Sequence, residues 1–468
     1  MLVIVSDLHL TDGTTGLRIP VGAFRVFRER LESMAYDASK RDENTYKPIE
    51  AFDLVLLGDI LDLLRSTRWN DENKGQAGYA RPWSDHNSPA FVNKVEQIVE
   101  GIFQQNAKTF DILRSLADGT GISLPPATKT GGVDRRVSRD RRSASRLPVR
   151  VNIHYMNGNH DWIFHLPGAN FDRIRRRVID QMGLKNSAGP FPHAADESPT
   201  IQSTFDQHAV FARHGDIYDP FNFVKEHGRD YSSLGDALVV ELFNTFPRAI
   251  EEEFKEQLPH KFYDDLCEMG SIRPGTMTPV WIATLLERHQ IDERQRAKID
   301  ELWKYQVDQF LKLDFLKELD KPFLDLVDSV EALLKILSTI SLERLDKLAP
   351  VAERIIKLHA AIAGGGEFGF DKNASREEAY QSREARFIVY GHTHGFKLLP
   401  LRSTVLNGSL FDQMYLNSGT WHPLHELGVD DPRKRGFILH KTMSYLGFYR
   451  GDERKGRAFE TWTGALDL

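Results

Sequence analysis

Five times along this 468-residue chain a short apolar run stops at a small polar cluster of aspartate, asparagine or histidine, four times with glycine. Residues 1–5 (MLVIV) run into Ser6-Asp7-Leu8-His9, and 52–57 (FDLVLL) end at Gly58-Asp59. Residues 150–156 (RVNIHYM) end at Asn157-Gly158-Asn159-His160-Asp161. Residues 208–212 end at Arg213-His214-Gly215, and 387–390 at Gly391-His392-Thr393-His394. Runs this short suit buried strands, and polar residues gathered at their C-terminal ends mark an α/β sheet with its site along that edge. Between the runs, the amphipathic stretch 21–34 predicts a helix, as does Ser88-Pro89 followed by Phe91, Val95, Ile98, Ile102 and Phe103 near helical spacing.

The chain is long for one domain. From about 223 to 382 its character changes: 294–313 and 323–340 have apolar residues near helical spacing, and Gly364-Gly365-Gly366 then breaks the pattern. The expected organisation is therefore a core in two parts, 1–222 and 383–468, around a mostly helical insertion, 223–382. That insertion is expected to cap the site or to build a homo-oligomer. Strands are expected at 387–390, 413–416, 436–441 and 445–449. Residues 119–146 read as a loop, ending in the arginine-rich run from Asp134. A solvated loop is the simpler reading of it, and contact with an anionic substrate or phospholipid is the alternative.

Sixty-one basic against 67 acidic residues give a net charge of −6, which argues against a surface built for non-specific nucleic-acid binding, although the arginine cluster at 135–150 is a local exception. The single cysteine, Cys267, excludes an intrachain disulfide and suits a reducing compartment. No secretory signature precedes the first strand, and no apolar stretch reaches the ~18 residues of a membrane span. A cytoplasmic location without a transmembrane segment is the expectation.

The polar clusters carry the chemistry. Asp7 and His9 stand two apart at a strand end, so both can face one cation, but D-x-H is uninformative alone and recurs at Asp206-Gln207-His208. Asp206 and His208 are read as ordinary residues because they begin a strand instead of ending one. Gly58 permits a sharp exit that leaves Asp59 at the tip, where a carboxylate can bridge two cations. Gly158-Asn159-His160-Asp161 is far more specific: an amide oxygen ligates a cation without adding charge, and His160 is left for proton chemistry. His214 and the pair His392 and His394 add imidazoles. Mixed nitrogen and oxygen donors suit Mn, Fe, Zn, Co or Ni better than Ca or Mg alone.

In this order, D-x-H, G-D-x-x-D, G-N-H-D, H and G-H-x-H resemble the calcineurin-like metallophosphoesterase superfamily. The resemblance covers five short blocks between Asp7 and His394 and does not extend to the insertion. It implies a four-layer αββα sandwich and a dinuclear site of two divalent cations, with manganese, iron or zinc expected. By that resemblance Asp7, His9, Asp59 and His394 hold one cation, while Asp59, Asn159, His214 and His392 hold the other. His160 is then the proton donor or a transition-state contact, oriented by Asp62 or Asp161. Ser6-Asp7-Leu8-His9-Leu10 and Asn417-Ser418-Gly419-Thr420-Trp421 are further similar to the UDP-2,3-diacylglucosamine pyrophosphatase group. That group is shorter and typically carries arginine where His160 stands. Leu63-Leu64-Arg65 after Asp62 also departs from the Arg-Gly of Ser/Thr protein phosphatases. The expected activity is hydrolysis of a small-molecule or lipid-linked phosphoester or pyrophosphate, with a nuclease as the alternative. Arg65, Arg68 and His422 are weaker candidates for substrate phosphate contacts.

Overall fold

Strand Leu2–Val5 lies at the centre of a five-stranded sheet, in the order Phe459–Ala465, Thr442–Phe448, Leu2–Val5, Ala51–Leu57 and Arg150–Met156. The last three run parallel, whereas Thr442–Phe448 pairs antiparallel with both of its neighbours. The computed structural model describes residues 1–273, 275–320, 369–406, 408–428 and 436–465, an α/β fold of mixed helices and sheets. A second sheet orders Val210–Ala212, Phe387–Tyr390, Ser409–Asn417 and Lys397–Leu406, the first three parallel.

Alternation along the strands explains how these layers stack. Leu2, Ile4, Val55, Leu57 and Met156 share one buried apolar cluster with Ala212, Phe387, Val389 and Leu416 of the second sheet. The intervening Val3, Val5, Leu54 and Leu56 pack instead with Phe24, Phe27, Val95, Ile98, Phe110 and Ile174 of helices Val21–Ala38, Pro89–Gln105, Ala107–Asp118 and Ala169–Met182. On the second sheet, Ile388, Tyr390 and Tyr415 pack with Phe370, Ala374 and Tyr380. Strands buried on both faces need apolar residues at every position, which is why they read as continuous runs. The helix foreseen from Ser88-Pro89 starts there, with the Ser88 hydroxyl accepting from the Phe91 amide.

Residues 224–319 include a separate apolar cluster built on Phe246, Phe262, Trp281 and Trp303, from helices Thr245–Phe254, His260–Leu266, Thr278–Arg288 and Glu293–Leu311. A small sheet joins Ile272–Arg273 to Leu424–Leu427 and Phe437–His440, and Leu427 and Phe437 pack on that helical cluster. The chain beyond 383 thus contributes to this unit as well as to the main sheets. The expected helix at 323–340 and the Gly364–Gly366 break lie outside the described residues.

Two expectations need correction. Residues 119–146 are not plain loop: Ser123–Leu124 pairs with Leu147–Pro148, and Arg135–Arg139 forms a short helix capped by the Asp134 carboxylate. Asp206 and His208 do not begin a strand; Asp206 closes helix Pro199–Asp206, and the His208 ring bonds back to the Thr204 carbonyl at 2.8 Å. No helix among the described residues is long and apolar enough to cross a membrane.

Candidate metal centre

Where the parallel strands end, the backbone turns through conformations that L-residues seldom adopt. Asp7, His9, Asp59, His392 and His394 all have positive φ, between 44° and 67°. Such strain persists only where surrounding contacts over-determine it, and it concentrates at functional sites. Here Asp7 and His9 stay hydrogen-bonded to the next strand exit, through the Gly58 and Asp59 carbonyls at 3.0 and 2.9 Å. The neighbouring glycines allow the close approach. A Cβ on Gly158 would stand 2.2 Å from the Asp59 carboxylate, and one on Gly391 would stand 2.6 Å from that of Asp7.

This edge brings together all seven sequence-derived donors. In one group the Nε2 atoms of His9 and His394 are 3.0 Å apart, and Asp7 Oδ1 lies 3.4 Å from His394 Nε2. In the other, His214 Nε2 and His392 Nδ1 lie 3.2 and 2.9 Å from Asn159 Oδ1. Asp59 stands between them: its Oδ2 is 3.7 Å from His9 Nε2 and 3.3 Å from His214 Nε2. Its other oxygen accepts from the His160 amide at 2.8 Å. Asp7, His9, Asp59 and His214 are almost completely buried.

The outer atoms set the tautomers. His9 Nδ1 donates to Asp62 at 2.8 Å and His214 Nδ1 donates to the Leu57 carbonyl at 3.0 Å, so each turns its Nε2 inward. Burial lowers His9 to about 4, and burial with the Arg273 charge holds His394 well below its ordinary value. Both imidazoles are therefore neutral donors. Burial raises Asp7 to about 6. Against the opposing effect of burial, Asp59 and Asp7 raise His214 to about 10, so a cation entering beside it must displace a proton. Imidazoles, carboxylates and an amide oxygen converging in a buried space fit divalent cations, and these histidine and aspartate groups can hold them.

Asp62 serves two rings, accepting from His9 Nδ1 through one oxygen and from His160 Nδ1 at 2.9 Å through the other. Asp62 and Asp59 raise the pKa of His160 against burial, which favours its protonated form. Between the two orienting residues left open by the sequence, the hydrogen bond to His160 goes to Asp62. Asp161 is occupied elsewhere, accepting from the Ile60 and Gly158 amides and the Tyr155 hydroxyl at 2.9, 2.6 and 2.6 Å. It ties the two loops together and is not beside the proton chemistry expected of it. The Asn417–Thr420 segment does similar work. Asn417 bonds the Gly391 carbonyl at 2.7 Å, Ser418 meets Ser6 at 2.6 Å, and Thr420 bonds the Asp7 carbonyl at 2.6 Å.

The three phosphate-contact candidates separate. Arg65 is buried beneath the centre, bonded to the Gly270 carbonyl at 2.6 Å with Nε 3.4 Å from Asp62. His422 packs its ring edge-on to His9, with centroids 5.9 Å apart. Arg68 instead pairs with Asp12 and lines a different groove with Glu96, Glu100 and Arg177. Sequence reasoning missed Asp219, which accepts from His392 Nε2 at 2.9 Å, and Arg273, whose guanidinium lies 3.0 Å from His394 Nδ1. Asp219-Pro220 soon after His214-Gly215-Asp216 was a weak signal for the first. Nothing local distinguishes Arg273, which reaches the centre from the helical unit. No protein-family model matches this chain, and no curated protein matches it.

Proposed function

We propose that this chain is a dinuclear metal-dependent phosphoesterase built on the four-layer αββα sandwich of the calcineurin-like superfamily. Its substrate would be a small-molecule or lipid-linked phosphoester or pyrophosphate. The observation that carries this reading is the position of Asp59, one carboxylate oxygen facing both histidine groups. Asp7, His9, Asp59 and His394 would hold one cation; Asp59, Asn159, His214 and His392 the other. A bound pair, manganese, iron or zinc by its donors, would act as Lewis acid toward phosphoryl oxygens and lower the pKa of an attacking water.

The chain's own groups supply the rest. His160, steered by Asp62 and with its protonated form favoured by the carboxylates around it, would offer a proton to the departing oxygen. Arg273, reaching His394 from the helical unit, would add positive charge beside the centre for a phosphate. The nuclease alternative draws no support from the arginine-rich segment. Arg150 opens strand Arg150–Met156 and Asn159 follows its far end, so seven residues of strand, about 20 Å, separate that segment's end from the centre.

The test is hydrolysis by the purified full-length chain of phosphomonoesters, phosphodiesters and nucleotide pyrophosphates, each with Mn, Zn, Fe and Mg. Turnover of at least one class that disappears in Asp59→Asn is expected. A metal-loaded chain that hydrolyses none of them sinks the reading.

A further inference from the structure

A second histidine and carboxylate cluster lies outside the centre described above. The donor atoms of His165, His193 and Asp230 all fall within 4.8 Å of one another, as do those of the groups at the main centre. His165 Nδ1 lies 2.6 Å from Asp230 Oδ1, and its Nε2 lies 3.5 Å from the Glu197 carboxylate. His193 faces His165 with ring centroids 4.5 Å apart. It is 2% exposed, yet neither ring nitrogen has a hydrogen-bond partner.

That last fact points to a ligand. A buried imidazole needs at least one partner for its N–H, and leaving such a group unsatisfied costs roughly 1–3 kcal/mol. An acceptor nitrogen aimed at a second imidazole and a carboxylate is the usual approach to a cation with mixed nitrogen and oxygen donors. Arg229, whose charge acts on His193, is itself paired with Asp216 through two bonds of 2.9 Å.

From this geometry we infer that His165, His193 and Asp230 form a further transition-metal site of the zinc type, separate from the two-cation centre. Its position suggests what it does. His165 closes the short helix Trp162–His165 that follows Gly158–Asp161, and His193 lies on the loop whose Pro192 and Phe191 carbonyls accept from Asn157 at 2.8 and 2.7 Å. Asp230 lies on the segment that also carries Asp219, the partner of His392. A cation here staples the start of the helical unit to the loops that position Asn159 and His160.

Chelator-stripped full-length protein dialysed against Co(II) or Zn(II), with the bound ions counted, tests this directly. His165→Gln combined with Asp230→Asn should bind one ion per chain fewer than the unmodified protein. Equal counts overturn the proposal. Should the double variant fail to fold, Asp230→Asn alone carries the test, since its side chain is 43% exposed. Its affinity for the additional ion should fall about tenfold or more, and unchanged affinity overturns the proposal. The difference count does not depend on the two-cation reading. One ion lost from a total of one would leave this site standing and remove the other.

Discussion

Asp7-Leu8-His9 and Asp206-Gln207-His208 are the same sequence pattern in two settings. At the first, the chain leaves a buried central strand, both named residues are forced to positive φ, and Ser6, Ser418 and Thr420 brace them from behind. At the second, a helix ends; Asp206 is exposed, its carboxylate accepts from Gln202 on the same helix at 2.7 Å, and the His208 ring turns back on its own helix. Residue types do not make a ligand pair. A strand exit whose strained backbone is braced by distant parts of the chain does.

That contrast can be broken at several points. Asp59→Asn should have the largest effect, because it removes charge from both histidine groups at once: hydrolysis should fall by at least about 10³-fold, with the metal content measured on the same sample reduced. His160→Ala separates chemistry from metal binding. Turnover should drop on the order of 10²-fold while metal content stays at that of the unmodified chain, and undiminished turnover would remove His160 from the chemistry. Asp62→Asn tests whether one carboxylate steers two rings; metal affinity and turnover should both weaken about 10–100-fold. Gly158→Ala should destabilise the fold by about 1–3 kcal/mol in chemical denaturation, since the new Cβ meets the Asp59 carboxylate. Asp206→Asn should do least: stability within about 0.5 kcal/mol and metal content unchanged.

The strands that build the site were legible because burial on both faces makes them short, continuous apolar runs. The Asp7, Asp59, Asn159, His214 and His392 positions followed from the polar residues just beyond those runs. What stayed hidden depends on contacts across the chain. Whether Asp62 or Asp161 serves His160 is decided by loop packing, since both lie a few residues from a ligand in sequence. Arg68 looked as promising as Arg65 until its pairing with Asp12 turned it to another groove. Strand Lys397–Leu406 alternates half-buried and exposed positions and includes Pro400, so it lacks the apolar signature of the central strands. Arg273 lies far from every recognisable block and meets His394 only through the fold.

The brace behind Asp7 has a consequence for how the molecule comes into being. Ser6 meets Ser418 across 412 residues, and strand Leu2–Val5 takes Thr442–Phe448 as its neighbour. On the ribosome, then, the central strand emerges long before Thr442–Phe448 and keeps an unpaired edge until that strand has been made. Such an edge is open to wrong partners during synthesis. The strained Asp7 and His9 turns gain their last supports only then, so a metal centre of this design is completed late, after the helical unit has already left the tunnel.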